Sequence, residues 1–348
     1  MPTKEKEKGP AKDAPKDAPA PAPLRGLSQA QKDHFFAKGY VLLNGCFKKE
    51  AAQEWIDAAY KRMKCDPKSP KTWKEKRLFL KSTASVEVGK FAPDAWGAIC
   101  DLLGGKDRIE RAETQGWPDA FVVTFPSKEQ PWLTPSAQVP GWHSDGSFKH
   151  FLDSPELGVL VLVLWSDIEP QGGGPFVACD SVKVVAELLR QHPEGVDQQA
   201  LSNSVSRCRD FAEITGKAGD VLIMHPYMLH AESVNHSSRP VFTTITTVGL
   251  TAPMSFNRAG AAGYSLVEQS VLKALKAERV DFKIKGARSP APKMTPTSTP
   301  PPAAAPAPTD KAPMDKAPTD KAPTDKAAAK AGKAGGKPAE SGDKPAQG

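Results

Sequence analysis

Residues 158–178 have the sequence GVLVLVLWSDIEPQGGGPFVA, and this stretch decides the fold class. An apolar run is followed by a turn rich in glycine and proline, and then by a second short apolar run. Short runs bounded by such turns predict β-strands. Three more runs of the same kind lie on either side, at 121–125, 221–224 and 241–248.

A single helical pattern, at 182–190, interrupts this series of strands. Short strands that are regularly separated by glycine and proline favour a β-sandwich or barrel over βαβ units. The sequence therefore predicts a mainly β fold from about residue 119 onward.

Helical patterns flank the β-rich region. Ser28 and Gln31 have the spacing of a capping box at the start of a first helix, and Gly39 is predicted to end that helix. A short strand, Tyr40–Leu43, follows. Further helices are predicted at 50–64, 91–103 and 266–276.

The two ends of the chain differ from the middle in composition. Residues 1–23 and 289–348 together contain 19 of the 34 prolines and no Phe, Trp or Tyr. Such segments cannot bury enough apolar surface to offset chain entropy, so both are predicted to be disordered tails. The second tail is rich in Pro, Ala and Lys, and it repeats DKAP followed by Thr or Met. Residues 24–288 remain as one predicted domain.

The formal charge of +7 raises the question of a nucleic-acid partner. The two tails carry +1 and +3 of this charge, which leaves +3 on residues 24–288. A domain so nearly balanced does not have the charge of a phosphate-tracking surface. No nucleic-acid partner is predicted, whereas the tails could contact unknown proteins.

Cysteine usage and hydropathy indicate a compartment. The five cysteines are widely spaced and form no CxxC pair, which argues against a disulfide framework or a zinc site. The longest apolar run, 159–165, is too short to cross a bilayer, and the N-terminal residues have no signal-peptide pattern. We therefore predict a soluble, cytoplasmic protein with no membrane partner.

The motif WHSDG, residues 142–146, is the first that points to chemistry. In extended chain, residues i and i+2 project to the same side, so His143 and Asp145 can bind one ion together. One more imidazole would complete the two-His, one-carboxylate triad of non-haem Fe(II) oxygenases, which leaves open coordination positions. An isolated HxD triplet is weak evidence, because it also occurs by chance in surface turns.

A third ligand must come from further along the chain, where two histidines compete. His225 ends an apolar run just before a proline, and a core imidazole is the commoner interpretation of such a position. His230 opens a new segment that leads into the last strand. His236 lies in a polar turn and is expected to be exposed.

Arg239 stands at the start of the last strand, VFTTITTV. A buried arginine needs an anionic partner, and its planar fork suits a carboxylate. A dicarboxylate cosubstrate would provide that partner. The alternative is an exposed arginine at a strand end.

Taken in order, these pieces resemble the phytanoyl-CoA dioxygenase family of Fe(II)/2-oxoglutarate oxygenases. The resemblance spans most of residues 28–250. It rests on the GYVLL strand after the first helix, WHSDG, the strand ending in Trp165 with the glycine-rich turn after it, GDVLIMHP, and the H-A-x-S-x-N-x-S-x-R-P pattern of residues 230–240.

The resemblance implies a double-stranded β-helix of the jelly-roll or cupin type, with iron ligands at His143, Asp145 and His230. It also implies that Arg239 binds the distal carboxylate of 2-oxoglutarate and, more loosely, that Ser144 and Trp165 line the cosubstrate pocket. The cofactors would be Fe(II), 2-oxoglutarate and O2.

One departure concerns the stretch after Gly174. Many relatives have a Pro-Gly-Ser-His signature there, and this chain has VACDS. The departure puts contacts from this loop in doubt, but not the iron site.

The implied reaction is oxidation of a C–H bond, normally hydroxylation of a small organic molecule or acyl thioester, with release of succinate and CO2. Halogenation is disfavoured because Asp145 is present where halogenating relatives have a small residue. A cupin-type metal enzyme that needs no 2-oxoglutarate is an alternative, against which Arg239 argues. A catalytically silent scaffold is another, against which the intact ligand set argues. The sequence contains no G-x-S-x-G, so a serine hydrolase is disfavoured.

The loop at 126–140, together with residues 148–151, is predicted to form the mouth of the substrate site. A loop so long in a compact domain is usually a lid or a binding element, and this one leads directly to His143. The expected contacts are an apolar face from Trp132, a charge for an anionic group from Lys128, and the rings of Phe148 and Phe151. Packing of Trp132 against the helices is the alternative.

Overall fold

Eleven strands and seven α-helices occur in the part of the chain that the computed structural model describes, residues 26–260 and 263–288. The strands are β1 (Tyr40–Leu43), β2 (Arg77–Phe79), β3 (Ser85–Glu87), β4 (Gly116–Pro118), β5 (Val122–Thr124), β6 (Val159–Leu164), β7 (Phe176–Ala178), β8 (Phe211–Glu213), β9 (Val221–Met224), β10 (His230–Ala231) and β11 (Val241–Val248). The helices are α1 (Gln29–Lys38), α2 (Lys49–Met63), α3 (Val88–Phe91), α4 (Pro93–Leu103), α5 (Ser181–Gln191), α6 (Gln198–Asn203) and α7 (Leu266–Ala274).

Six strands form a large antiparallel sheet in the order β1-β9-β6-β11-β5-β2. β6 lies inside this sheet, paired with β9 on one side and β11 on the other. All six of its residues are buried. A strand buried on both faces needs apolar side chains at every position, which explains the unbroken VLVLVL sequence.

A small antiparallel sheet has the order β10-β7-β8. His143 extends it, because this residue forms an antiparallel bridge with His230 of β10. From β5 onward the chain passes from the large sheet to the bridge at His143, back to β6, across to β7 and β8, and then to β9, β10 and β11 in turn. This alternation between two sheets is the topology of a double-stranded β-helix, which the family resemblance implied.

The two faces of the large sheet pack against different partners. Leu160, Leu162 and Leu164 form an apolar cluster with Val177 of β7, so this inner face is turned toward the small sheet. The alternate residues of β6 pack in a second cluster with the helices. Trp165 follows them and stacks on Trp55 of α2, with ring centroids 5.1 Å apart.

Several elements agree with the sequence in detail. Ser28 and Gln31 form the predicted capping box, and Gly39 ends α1 with φ +74°. The glycine-rich turn before β7 is required by close packing, because a Cβ at Gly174 would collide with the carbonyl oxygen of Ile214. In contrast, the sequence did not indicate α6 or β2.

The described residues all fall within one compact unit of the chain. The predicted tails, 1–23 and 289–348, lie outside the described residues. Within residues 26–260 and 263–288, no helix is both long enough and apolar enough to cross a membrane.

Candidate metal centre and adjoining cleft

His143, Asp145 and His230 come together at one point of the small sheet. One ligand atom from each lies within 4.8 Å of the others. His143 Nε2 is 3.9 Å from Asp145 Oδ1, and His230 Nε2 is 3.8 Å from the same oxygen. A cation placed among these three atoms would therefore have two nitrogen ligands and one oxygen ligand.

The antiparallel bridge explains why the two histidines meet. The N–H of His143 donates to the carbonyl of His230 (2.9 Å), and the N–H of His230 donates to the carbonyl of His143 (3.0 Å). Residues paired in this way point their side chains to the same face. The imidazole centroids are accordingly 4.2 Å apart.

Backbone carbonyls orient both rings. His143 Nδ1 lies 2.8 Å from the carbonyl oxygen of Gly141, and His230 Nδ1 lies 3.2 Å from that of Met228. A carbonyl can only accept, so each Nδ1 carries the hydrogen and each Nε2 keeps its lone pair for the side facing Asp145. Metal-bound histidines are typically held by such a second hydrogen bond.

Burial makes protonation of His230 unfavourable. Burial and the neighbouring His143 lower the pKa of His230 to about 4, despite the opposing effect of Asp145. His230 Nε2 is buried and has no hydrogen-bond partner in the protein. A buried neutral imidazole with an unsatisfied lone pair, next to a carboxylate, fits a divalent metal ion.

A cleft of about 1100 Å³ has His143 among its lining residues. Its walls include Phe125, Trp132, Trp142 and Phe176. Its lining also includes Phe79 and Leu133, the exposed large hydrophobic side chains among the described residues. Of the three residues of the metal group, His143 lines this cleft, whereas Asp145 and His230 do not. An apolar cleft with a few polar side chains has the character of a ligand site.

The predicted substrate loop lines this cleft from Gln130 to Leu133 and again near Pro140. Trp132 packs edge-on against Phe176, with ring centroids 5.2 Å apart. Lys128 is not among the lining residues.

The two predicted phenylalanines also lie elsewhere. Phe148 is partly buried against the inner apolar cluster and stacks on His150 at 4.3 Å. Phe151 is fully buried, with the Arg288 guanidinium over its ring. Neither residue lines the cleft. The complete burial of Phe151 corrects its expected place at the mouth, whereas a substrate contact of Phe148 stays a prediction.

The residues expected around the cosubstrate are dispersed. Trp165 is fully buried on the helix side of the large sheet, where its Nε1 donates to Thr244 Oγ1 at 2.9 Å. Its placement corrects the expectation that it lines the pocket, since the inner face is the opposite one. Ser144 is buried between the two ligands, and its Oγ has no hydrogen-bond partner.

Arg239 lies at the surface. Its side chain is 64% exposed, and Nη2 forms an ion pair with Glu169 Oε1 at 2.6 Å. The residue is absent from the lining of the cleft. The expectation of a buried arginine facing a ligand therefore does not match its position, and the alternative of an exposed strand-end arginine does.

The other two histidines considered as ligands, His225 and His236, take no part in the metal group. His225 is fully buried between Phe35 and Tyr227, where burial lowers its pKa to about 3. Its Nδ1 accepts a hydrogen bond from the Tyr227 N–H. His236 is only partly exposed, which corrects the expectation of an exposed side chain. Its Nε2 lies 2.8 Å from the carbonyl oxygen of Gln130, in the loop at 126–140.

Sequence reasoning missed Arg77. This arginine lies on β2 and lines the same cleft as His143. Its side chain is 20% exposed, and burial lowers its pKa to about 10. It forms an ion pair with Glu232, two residues after His230. Nothing in the local sequence KRLFL distinguishes this arginine from a surface residue.

No protein-family model matches the sequence, and a search of curated proteins finds no relative. Several solved structures resemble the fold. SnoK, a non-heme alpha ketoglutarate dependent carbocyclase from nogalamycin biosynthesis, has 16% identity and a TM-score of 0.40, with 64% of this chain and 84% of SnoK covered. The epimerase SnoN, in complex with Fe3+, alpha ketoglutarate and nogalamycin RO, has 15% identity and a TM-score of 0.41, with 69% and 88% covered.

HygX from Streptomyces hygroscopicus, with nickel and 2-oxoglutarate bound, has 14% identity and a TM-score of 0.39, with 65% of this chain and 88% of HygX covered. The three alignments cover about two thirds of this chain and most of each neighbour.

Proposed function

We propose that this protein is an Fe(II)- and 2-oxoglutarate-dependent oxygenase, similar to the phytanoyl-CoA dioxygenases, with His143, Asp145 and His230 as iron ligands. The observation that carries the proposal is the convergence of these three side chains beside an open cleft, in a double-stranded β-helix. Two imidazoles and one carboxylate are the donor set of non-haem Fe(II) oxygenases.

Iron and 2-oxoglutarate, when bound, supply the oxidant that removes hydrogen from a substrate C–H bond, with O2 consumed and succinate and CO2 released. The protein's own residues orient the metal ligands and exclude water from the site. The carbonyls of Gly141 and Met228 keep both Nε2 atoms available. Val177, paired with His230, belongs to the inner apolar cluster, which excludes water from that side.

We infer that a substrate approaches the metal group from the cleft, at His143. His143 is a lining residue of this cleft, and aromatic side chains form its walls. An apolar part of the substrate would lie against Trp132, with the oxidised carbon toward His143.

Two alternatives make different predictions. A metal enzyme that needs no 2-oxoglutarate would bind Fe(II) alone, and a scaffold would bind neither. Arg239 lies at the surface, so it does not argue for 2-oxoglutarate binding over the enzyme that needs none.

The test is an anaerobic titration with Fe(II) followed by 2-oxoglutarate, monitored by the metal-to-ligand charge-transfer band. We expect the band in the wild type and in Asp57→Ala, which removes an exposed carboxylate of α2. We expect no band in Asp145→Ala. Fe(II) binding without a 2-oxoglutarate-dependent band would support the first alternative, and absence of Fe(II) binding would support the second.

A further inference from the structure

The ion pair between Arg77 and Glu232 lies inside the cleft, and its two members differ in exposure. Both residues line the cleft, as His143 does. The Arg77 side chain is 20% exposed and that of Glu232 is 44% exposed. The cation is therefore the desolvated member of the pair, and the anion is the member that water can solvate.

Arg77 is held in place independently of Glu232. Its Nε donates to Thr124 Oγ1 at 3.2 Å, and its Nη2 donates to the carbonyl of Ser233 at 3.4 Å. Arg77 is opposite Thr124 in the sheet, and Thr124 is opposite Val241, a member of the inner cluster. The guanidinium thus extends from the inner face of the sheet, and its Nη1 is the atom that Glu232 contacts.

A desolvated guanidinium that is fixed by its own sheet requires an anion. Glu232 meets this need when the cleft holds no ligand, and it can turn into solvent at small cost because it is already half exposed. Its neighbour Lys76 does not compete for this role, since it is exposed and paired with Glu129.

We propose that Arg77 is the carboxylate-binding residue of this cleft, and that Glu232 occupies it until a ligand carboxylate replaces it. The planar guanidinium fork suits a carboxylate. The proposal rests on the proposed function in one respect, because one source of such a carboxylate is the distal group of 2-oxoglutarate. The other source is an acidic substrate whose apolar part lies on Phe79 and Leu133 at the rim.

The experiment compares ligands that differ in one carboxylate. Binding of 2-oxoglutarate and of 2-oxopentanoate, which has a methyl group in place of the distal carboxylate, is measured anaerobically with Fe(II). Binding of decanoate to the protein loaded with Fe(II) and 2-oxoglutarate is measured by calorimetry. The variants are Arg77→Gln, Arg77→Lys, Glu232→Gln and Arg239→Gln. Arg207→Gln is the control, because Arg207 belongs to an exposed ion pair with Glu187.

If the source is 2-oxoglutarate, Arg77→Gln weakens its binding by about tenfold or more and leaves 2-oxopentanoate unchanged. If the source is the substrate, Arg77→Gln instead weakens decanoate by a similar factor. In both cases Glu232→Gln tightens the same ligand, because a competing anion has been removed, and Arg207→Gln changes nothing. Arg77→Lys keeps the positive charge but lacks the planar guanidinium, so it gives an intermediate loss of ligand affinity. This variant provides the test if Arg77→Gln does not fold.

Unchanged binding of both carboxylates in a folded Arg77→Gln or Arg77→Lys protein would overturn the proposal. So would a Glu232→Gln variant that weakens binding as much as Arg77→Gln does, since the pair would then be structural. A loss of 2-oxoglutarate binding in Arg239→Gln, with none in Arg77→Gln, would place the anchor at Arg239. Failure of the wild type to bind 2-oxoglutarate with Fe(II) would count against the proposed function, whereas the decanoate arm would still test Arg77.

Discussion

At the scale of single residues, His225 and His230 are the same kind of side chain in opposite situations. Both are buried, and burial lowers the pKa of each well below its ordinary value. His225 lies among aromatic rings, whereas His230 faces a carboxylate and a second imidazole. Their environments, and not their burial, separate a packing histidine from a metal ligand.

We predict that His230→Ala abolishes stoichiometric Fe(II) binding and that His225→Ala retains it. His225→Ala should instead lower the thermal midpoint, because it leaves a cavity in an aromatic cluster. Metal content after anaerobic loading and differential scanning calorimetry measure the two effects separately. The converse pattern would mean that the ligand set has been assigned to the wrong histidine.

Trp132 is the residue on which the substrate role of the loop depends. We predict that Trp132→Ala lowers the stimulation of succinate release by candidate substrates, without changing the affinity for Fe(II) or 2-oxoglutarate. The reason is that the Trp132 ring lines the cleft and packs against Phe176. Trp132 is not one of the three residues of the metal group. Normal stimulation in a variant with a lowered thermal midpoint would assign Trp132 to packing alone.

At the scale of elements, α7 is attached to the domain through a buried charge. Glu268 is fully buried, and Arg108 donates to both of its carboxylate oxygens, at 2.9 and 2.7 Å. Burial by itself would raise the pKa of Glu268, but hydrogen bonds from Arg108 and from the N–H groups of Ser255 and Ser265 outweigh it and keep this pKa below its ordinary value. The ionised carboxylate therefore stabilises the folded state.

We predict that Glu268→Gln lowers the free energy of unfolding by about 3 kcal/mol, because it leaves Arg108 without its anion. Glu113→Gln, which breaks the exposed pair with Lys106, should have little effect. Chemical denaturation of both variants is the measurement. Equal losses in the two would show that burial of the pair has no energetic role.

The pH dependence of this contribution has a definite sign. Since the folded-state pKa is lowered, the stabilisation by Glu268 is complete above the ordinary value of 4.5 and is lost as pH falls through the folded-state pKa. The difference in stability between the wild type and Glu268→Gln should therefore shrink as the solution is acidified below pH 4.5.

At the scale of the whole molecule, the composition of the ends separates them from the folded part. We predict that deleting residues 1–23 and 289–348 leaves the thermal midpoint and the 2-oxoglutarate turnover nearly unchanged. Neither segment contains an aromatic residue that could join a core. A large loss of stability after truncation would mean that one of the tails docks on the domain.

The sequence alone determined the types of the main elements and the pair of ligands in HxD. Apolar runs between glycine and proline gave β5, β6, β7, β9 and β11, because strand periodicity is a local property of the chain. His143 and Asp145 were recognisable for the same reason, since residues two apart in extended chain share a side.

Only the tertiary structure decided which faces and which neighbours these residues have. Trp165 and Arg239 were expected in a ligand pocket, but strand pairing places the first on the helix side and leaves the second in solvent. Arg77 gave no signal, because its position in the cleft depends on pairing with Thr124. Periodicity fixes the alternation of side chains along a strand, whereas the long-range pairing of strands fixes which side becomes the interior.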